Sequence, residues 1–126
     1  MNPKTEELLK RTFEFGIRVL TLLNKLPKLK VNDIITYQLG KSSTSIGANY
    51  EEAQAAESKV DFIHKVSIVL KETRESNYWL RVLSRIISEK SFSTDISELV
   101  KESFELKQIF SSIKIKSIDK KKNING

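Results

Sequence analysis

Apolar residues recur along this chain at intervals of three and four, and nowhere alternate as a half-buried strand would. In the first segment Leu9, Phe13, Gly16, Ile17, Leu20 and Leu23 form one seam. Ile35, Leu39, Ile46 and Ala53 line up in the second segment. A third seam runs through Phe62, Val66, Val69, Thr73, Leu80, Leu83 and Ile87, and a fourth through Ile96, Leu99, Val100, Leu106, Phe110 and Ile113. The breaks are few. Pro27 opens the linker PKLK, Ser58 and Asp61 form a Ser-x-x-Asp helix-start signal, and SEKSFSTD from Ser88 to Asp95 supplies further caps. The spacing predicts helices over about 4–26, 31–57, 59–89 and 94–115. Long helices joined by short links return alongside themselves, so the expected fold is all-α, an antiparallel up-down-up-down four-helix bundle over 1–115. Residues 116–126, with KKKNING, are expected to form a basic, disordered tail.

The first helix has a second apolar seam, Leu8, Phe15, Val19, Leu22 and Leu26, centred roughly 120° from the first at 100° per residue. One bundle core does not need both. Helix three likewise sets Ile68, Trp79, Val82 and Ile86 away from its main seam. Surplus apolar faces predict a homo-oligomer, with Leu8, Phe15, Val19, Leu22, Leu26 and Trp79 as candidate interface residues.

At 126 residues the chain suits one core. It has no cysteine, which excludes disulfides and thiolate metal sites, and a single histidine, His64. A di-iron bundle needs two Glu-x-x-His pairs, so none is expected. No phosphate loop, nucleophile elbow or triad is present, and neither enzymatic activity nor a cofactor is expected. Without an apolar run of roughly 18 residues or a signal-like start, the expected location is the cytoplasm, with no membrane contact.

Net charge is +6, and the excess lies at the ends: residues 1–30 have seven basic and three acidic side chains, whereas 31–90 have eight of each. Lys4, Arg11, Arg18 and Lys25 recur every seven residues along one edge of the first helix. Lys28 and Lys30 follow in the linker, and Lys114, Lys116, Lys120, Lys121 and Lys122 close the chain. These lysines and arginines are candidates for electrostatic contact with RNA or DNA. Glu7 and Glu14, four residues before Arg11 and Arg18, compete for the two arginines. The rival reading is a scaffold for another protein, with incidental charge and an apolar patch at Trp79 or Phe92.

Helix two also sets Ser42, Ser45, Asn49 and Glu52 beside its apolar positions. Buried without partners, such groups cost roughly 1–3 kcal/mol each. Glu72, Arg74, Glu75 and Tyr78 on helix three are the expected partners in a structural polar network, with a Glu52–Arg74 link at its centre.

These two stretches, SSTSIGANYEEA and DFIHKVSIVLKETRESNYWLRVL, carry a resemblance. Ser42, Ser45, Ile46, Asn49 and Glu52, together with Phe62, Lys71, Glu72, Glu75, Tyr78, Trp79 and Leu80, match the pattern of the intervening-sequence proteins encoded within bacterial large-subunit ribosomal RNA genes. Val69 and Thr73 stand where alanine is commoner. The resemblance implies a four-helix bundle assembling into a ring-shaped homopentamer with no known enzymatic activity. It also implies a fold shared with the accessory protein of diversity-generating retroelements, a basic pentamer that partners a reverse transcriptase and nucleic acid.

Overall fold

In the computed structural model, which describes residues 1–28 and 30–125 and side chains through Lys120, four helices follow one another: α1 (Pro3–Lys25), α2 (Lys30–Gln54), α3 (Lys59–Ile86) and α4 (Lys90–Asn125). Local chemistry sets most of the ends. Asn2 caps α1 by accepting from the Lys4 amide at 2.8 Å, with Pro3 in the first turn where a missing N–H costs nothing. Ser58 caps α3 through the Asp61 amide at 3.0 Å, while the Asp61 carboxylate accepts from the Glu57 amide at 3.2 Å. At the first corner Asn32 donates to the Pro27 carbonyl at 2.6 Å, pinning the start of α2 under the end of α1.

Two ends differ from the sequence reading. The fourth helix begins at Lys90 rather than 94, since the break is confined to the residues around Ile87, whose backbone turns extended. It also continues past 115 to Asn125. No proline or glycine interrupts it there, and Ser117 stays covered by donating to the Ile113 carbonyl at 2.7 Å.

Cross-helix pairs establish that neighbours run antiparallel. Arg11 pairs with Glu102 and Arg18 with Glu98, so numbers rise along α1 as they fall along α4. Gly47 faces Thr12 while Gly40 faces Leu20 and Leu23, reversing α2 against α1. A Cβ on Gly47 would lie 3.4 Å from the Thr12 carbonyl, so this glycine lets two backbones approach closely.

Phe15, Val19, Leu22, Ile35, Leu39, Ile46, Val66, Val69, Leu80, Leu83, Ile96, Leu99, Leu106 and Phe110 make the core, and Tyr50 meets Phe110 edge to face at 5.1 Å. The seams of α2, α3 and α4 are those read from sequence. In α1 the two seams largely exchange roles, with Gly16 and Leu23 of the first seam still buried. Leu8, Phe15, Val19, Leu22 and Leu26, expected at a subunit interface, are buried inside the bundle, whereas Phe13 is 58% exposed and Ile17 and Leu20 are each 44% exposed. The reason is Thr12. It fills the gap that makes 8, 12, 15, 19, 22 and 26 an unbroken alternation of three and four, and its hydroxyl is satisfied within the helix by the Leu8 and Leu9 carbonyls.

Candidate functional site

The α1 arginines do not project freely. Arg11 donates from Nε to Glu102 Oε2 at 2.7 Å and from Nη2 to both Glu102 Oε1 and, at 3.1 Å, Glu105 Oε2. Arg18 donates to Glu98 Oε2 at 2.7 Å. The Glu102 hydrogen bond, first, and the surrounding carboxylates raise the Arg11 pKa against the opposing effect of burial. Both arginines are therefore tied to α4, not to Glu7 and Glu14 on their own helix. Lys4, Lys25, Lys28, Lys30, Lys116 and Lys120 are exposed, Lys114 is half-buried, and none has an ion pair among the described residues. The Lys121 and Lys122 side chains lie outside the described residues. A cleft of about 690 Å³ opens between α1 and α4, with Leu8, Tyr50 and Ile113 on its floor and Lys4, Glu7 and Lys116 on its rim.

The polar stripe of α2 is used differently from the expected network. Ser42 and Ser76 join by their hydroxyls at 2.9 Å in the interior, and Ser42 also reaches the Leu39 carbonyl. Ser45 and Asn49 bond to α2 carbonyls one turn back, those of Lys41 and Ser45. Glu52 and Arg74 are exposed and not joined. With Ser42 level with Ser76 on antiparallel helices, Arg74 sits about 12 Å along the axis from Glu52 at 1.5 Å per residue, beyond reach. Glu72 and Glu75 are half-buried, and desolvation, then the Glu75 charge, push the Glu72 carboxyl pKa up against Lys71 and Lys41. Ser76, Asn77 and Ser103, which the sequence reading left out, carry the buried polar bridge onward: Asn77 Nδ2 donates to Ser103 Oγ at 2.9 Å.

That bridge fixes what stands outside it. Arg81 donates from Nε to Asn77 Oδ1 at 2.9 Å, and its guanidinium carbon lies 5.8 Å from the centre of the Tyr78 ring. Tyr78, expected in the network, is instead 51% exposed. Its ring meets Trp79 edge to face at 5.1 Å. Tyr78, Arg81, Val82, Ser84 and Arg85 line a hollow of about 370 Å³. Lys71 and Arg74 continue the exposed face of α3 one and two turns toward its start, and across the Asn77–Ser103 register α4 adds Lys107 over the Phe104 ring at 4.9 Å. Among the described residues none of these cations has an ion pair. Three glutamates of α4, Glu98, Glu102 and Glu105, face the other way, onto α1.

Trp79, expected at an interface, is half-buried against the core. The exposed apolar face lies instead on α1 and α2, where Phe13, Gly16, Ile17 and Leu20 border Thr44, Gly47 and Ala48 around a groove of about 240 Å³, with Ile34 and Tyr37 also exposed on α2. Among the described residues no three His, Cys, Asp or Glu side chains converge as a metal site. No described helix is long and apolar enough to cross a membrane.

The family model of the 23S rRNA-intervening sequence protein matches residues 4–112. The fold is similar to the crystal structure, at 1.70 Å resolution, of a protein with unknown function from the S23 ribosomal protein family of Bacteroides thetaiotaomicron VPI-5482, at 33% identity and a TM-score of 0.75, over 84% of this chain and 96% of that one. No curated protein matches the chain.

Proposed function

The chain belongs to the 23S rRNA-intervening sequence protein family, and on that premise we propose that it is a non-catalytic, self-assembling bundle that associates with RNA through electrostatic contacts. One observation carries the RNA reading. The acids of α4 pair with the arginines of α1, whereas Lys71, Arg74, Arg81 and Arg85 of α3 and Lys107 of α4 form a group of cations without an ion pair among the described residues. Exposed arginines without carboxylate partners suit a phosphate backbone, which takes guanidinium in two-point bonds. Lys116 belongs to a different surface, the rim of the cleft between α1 and α4.

Assembly is supported by the α1–α2 face. Phe13, Ile17 and Leu20 border one groove with α2 and are exposed, as are Ile34 and Tyr37 on α2, and clustered exposed apolar side chains mark interaction surfaces. A second copy is the proposed cover, and the family resemblance extends this to a cytoplasmic homopentameric ring. The competing reading, a scaffold, places a different protein, for example a reverse transcriptase, on that same face.

A salt series on structured ribosomal RNA and on duplex DNA tests the RNA reading. Affinity present at low salt and falling steadily as salt rises is the expected result. No binding at low salt, or binding indifferent to salt, contradicts it.

A further inference from the structure

Resting on the RNA reading above, we infer that the hollow around Tyr78 is a base-stacking site that makes α3 prefer single-stranded RNA to duplex. Phosphate contacts alone do not distinguish the two forms strongly. The α3 face adds what phosphate binding does not need, an exposed aromatic ring set among cations. Tyr78 stands half out of the surface, and its neighbour Trp79 fixes one edge of the ring. Arg81 lies over the ring, its guanidinium carbon 5.8 Å from the ring centre, and its Nε is held by Asn77, itself anchored to Ser103, so ring and guanidinium are positioned together before any ligand arrives. Arg85 closes the hollow on the next turn.

A splayed base stacks on a tyrosine face or a guanidinium plane, and its flanking phosphates fall to cations a turn away. Here those cations are Arg85 on one side and Arg74 and Lys71 on the other. In a duplex the base faces are covered by their neighbours in the stack, so Tyr78 has nothing to receive. The arrangement reads no base edge and therefore favours no sequence.

The single tryptophan gives the site its own reporter. A base stacked on Tyr78 lands one ring away from Trp79, so binding should change the intrinsic emission. The experiment titrates the full chain with oligouridylate, and in parallel with the same strand annealed to oligoadenylate, following Trp79 emission and the anisotropy of a labelled strand. Wild type should bind the single strand more tightly and shift its emission only with that ligand. Tyr78→Ala should weaken single-strand binding roughly tenfold and leave duplex binding within about twofold. Tyr78→Phe keeps the ring and should bind as wild type. Equal binding of the single strand by Tyr78→Ala and wild type, or an equal loss for both forms, overturns the stacking site while leaving the RNA reading intact. Wild type that binds neither form at low salt overturns the RNA reading itself. Tyr78→Ala that lowers the assembled mass in light scattering marks the face as a contact between copies and also overturns the site.

Discussion

Arg11 of α1 holds Glu102 of α4 through two parallel hydrogen bonds, Nε to Oε2 and Nη2 to Oε1, while Nη2 also reaches Glu105. Paired this way, the guanidinium closes the seam between the first and last helices. The pair is part-buried, so it is worth about 1 kcal/mol rather than the few tenths of a solvated contact. Arg11→Ala should lower stability by about that amount in urea unfolding, and Glu102→Gln by a similar amount. In the double variant the losses should be less than additive. Additive losses would show that the two side chains do not act together.

Exchange of the α1 seams gives the assembly prediction a sharp form. Ile17→Glu places a charge on an exposed apolar face and should lower the mass in light scattering while helical circular dichroism is kept. Val19→Glu, two residues on, buries that charge at a position with no exposure and should unfold the chain. A wild-type protein that is monomeric at micromolar concentration would contradict the self-assembly proposal.

This pair of residues also marks where sequence was informative and where it was not. Helix number, antiparallel order and the seams of α2, α3 and α4 were legible because each has one dominant apolar stripe, which in α3 prevails over the flanking Ile68, Trp79, Val82 and Ile86. In α1 two stripes compete, and hydrophobicity cannot rank them when a threonine sits in the true one. Satisfied by carbonyls of its own helix, Thr12 behaves as a small apolar residue, a property visible only once the helix is built. The Ser58 cap followed from local spacing, whereas the pairing of Arg11 with Glu102 and of Arg18 with Glu98 did not, since residues 91 and 80 apart in sequence share no local pattern. Glu7 and Glu14 offered a nearer and misleading partner. Tyr78 was singled out by its motif, but which way it faces depends on the α3–α4 register that Asn77 and Ser103 set.

The buried hydroxyl pair on α2 and α3 should behave as a unit. Ser42→Ala strands the Ser76 hydroxyl in the interior and should cost about 1–3 kcal/mol in denaturant unfolding. Removing both hydroxyls together should cost less than the sum of the single changes, because no polar atom is then left behind. A double variant as damaged as the sum would contradict the direct bond.

Glu72 makes stability depend on pH in the direction opposite to an ordinary paired carboxylate. Its pKa in the fold is raised, chiefly by burial and then by Glu75, so the folded chain holds the proton more tightly than the unfolded chain. Its contribution therefore falls as pH rises from the ordinary carboxylate range through the raised value, and the fold carries an unfavourable charge at neutral pH. Glu72→Gln should be stabilising at neutral pH, with the gain disappearing in acid. A destabilised Glu72→Gln at neutral pH would mean that the carboxylate has a favourable partner.

If RNA is held by the unpaired cations of α3 and not by the arginines of α1, as proposed, the salt dependence of RNA affinity will show it. Lys71→Gln, Arg74→Gln and Arg85→Gln combined in one chain should lower the slope of log affinity against log salt by about 2, at roughly 0.7 per phosphate contact on a single strand. Arg11→Gln with Arg18→Gln should leave that slope as in wild type, because both arginines are already engaged by Glu98, Glu102 and Glu105. The reverse outcome, an unchanged slope for the α3 variant and a reduced one for the α1 variant, would contradict the account.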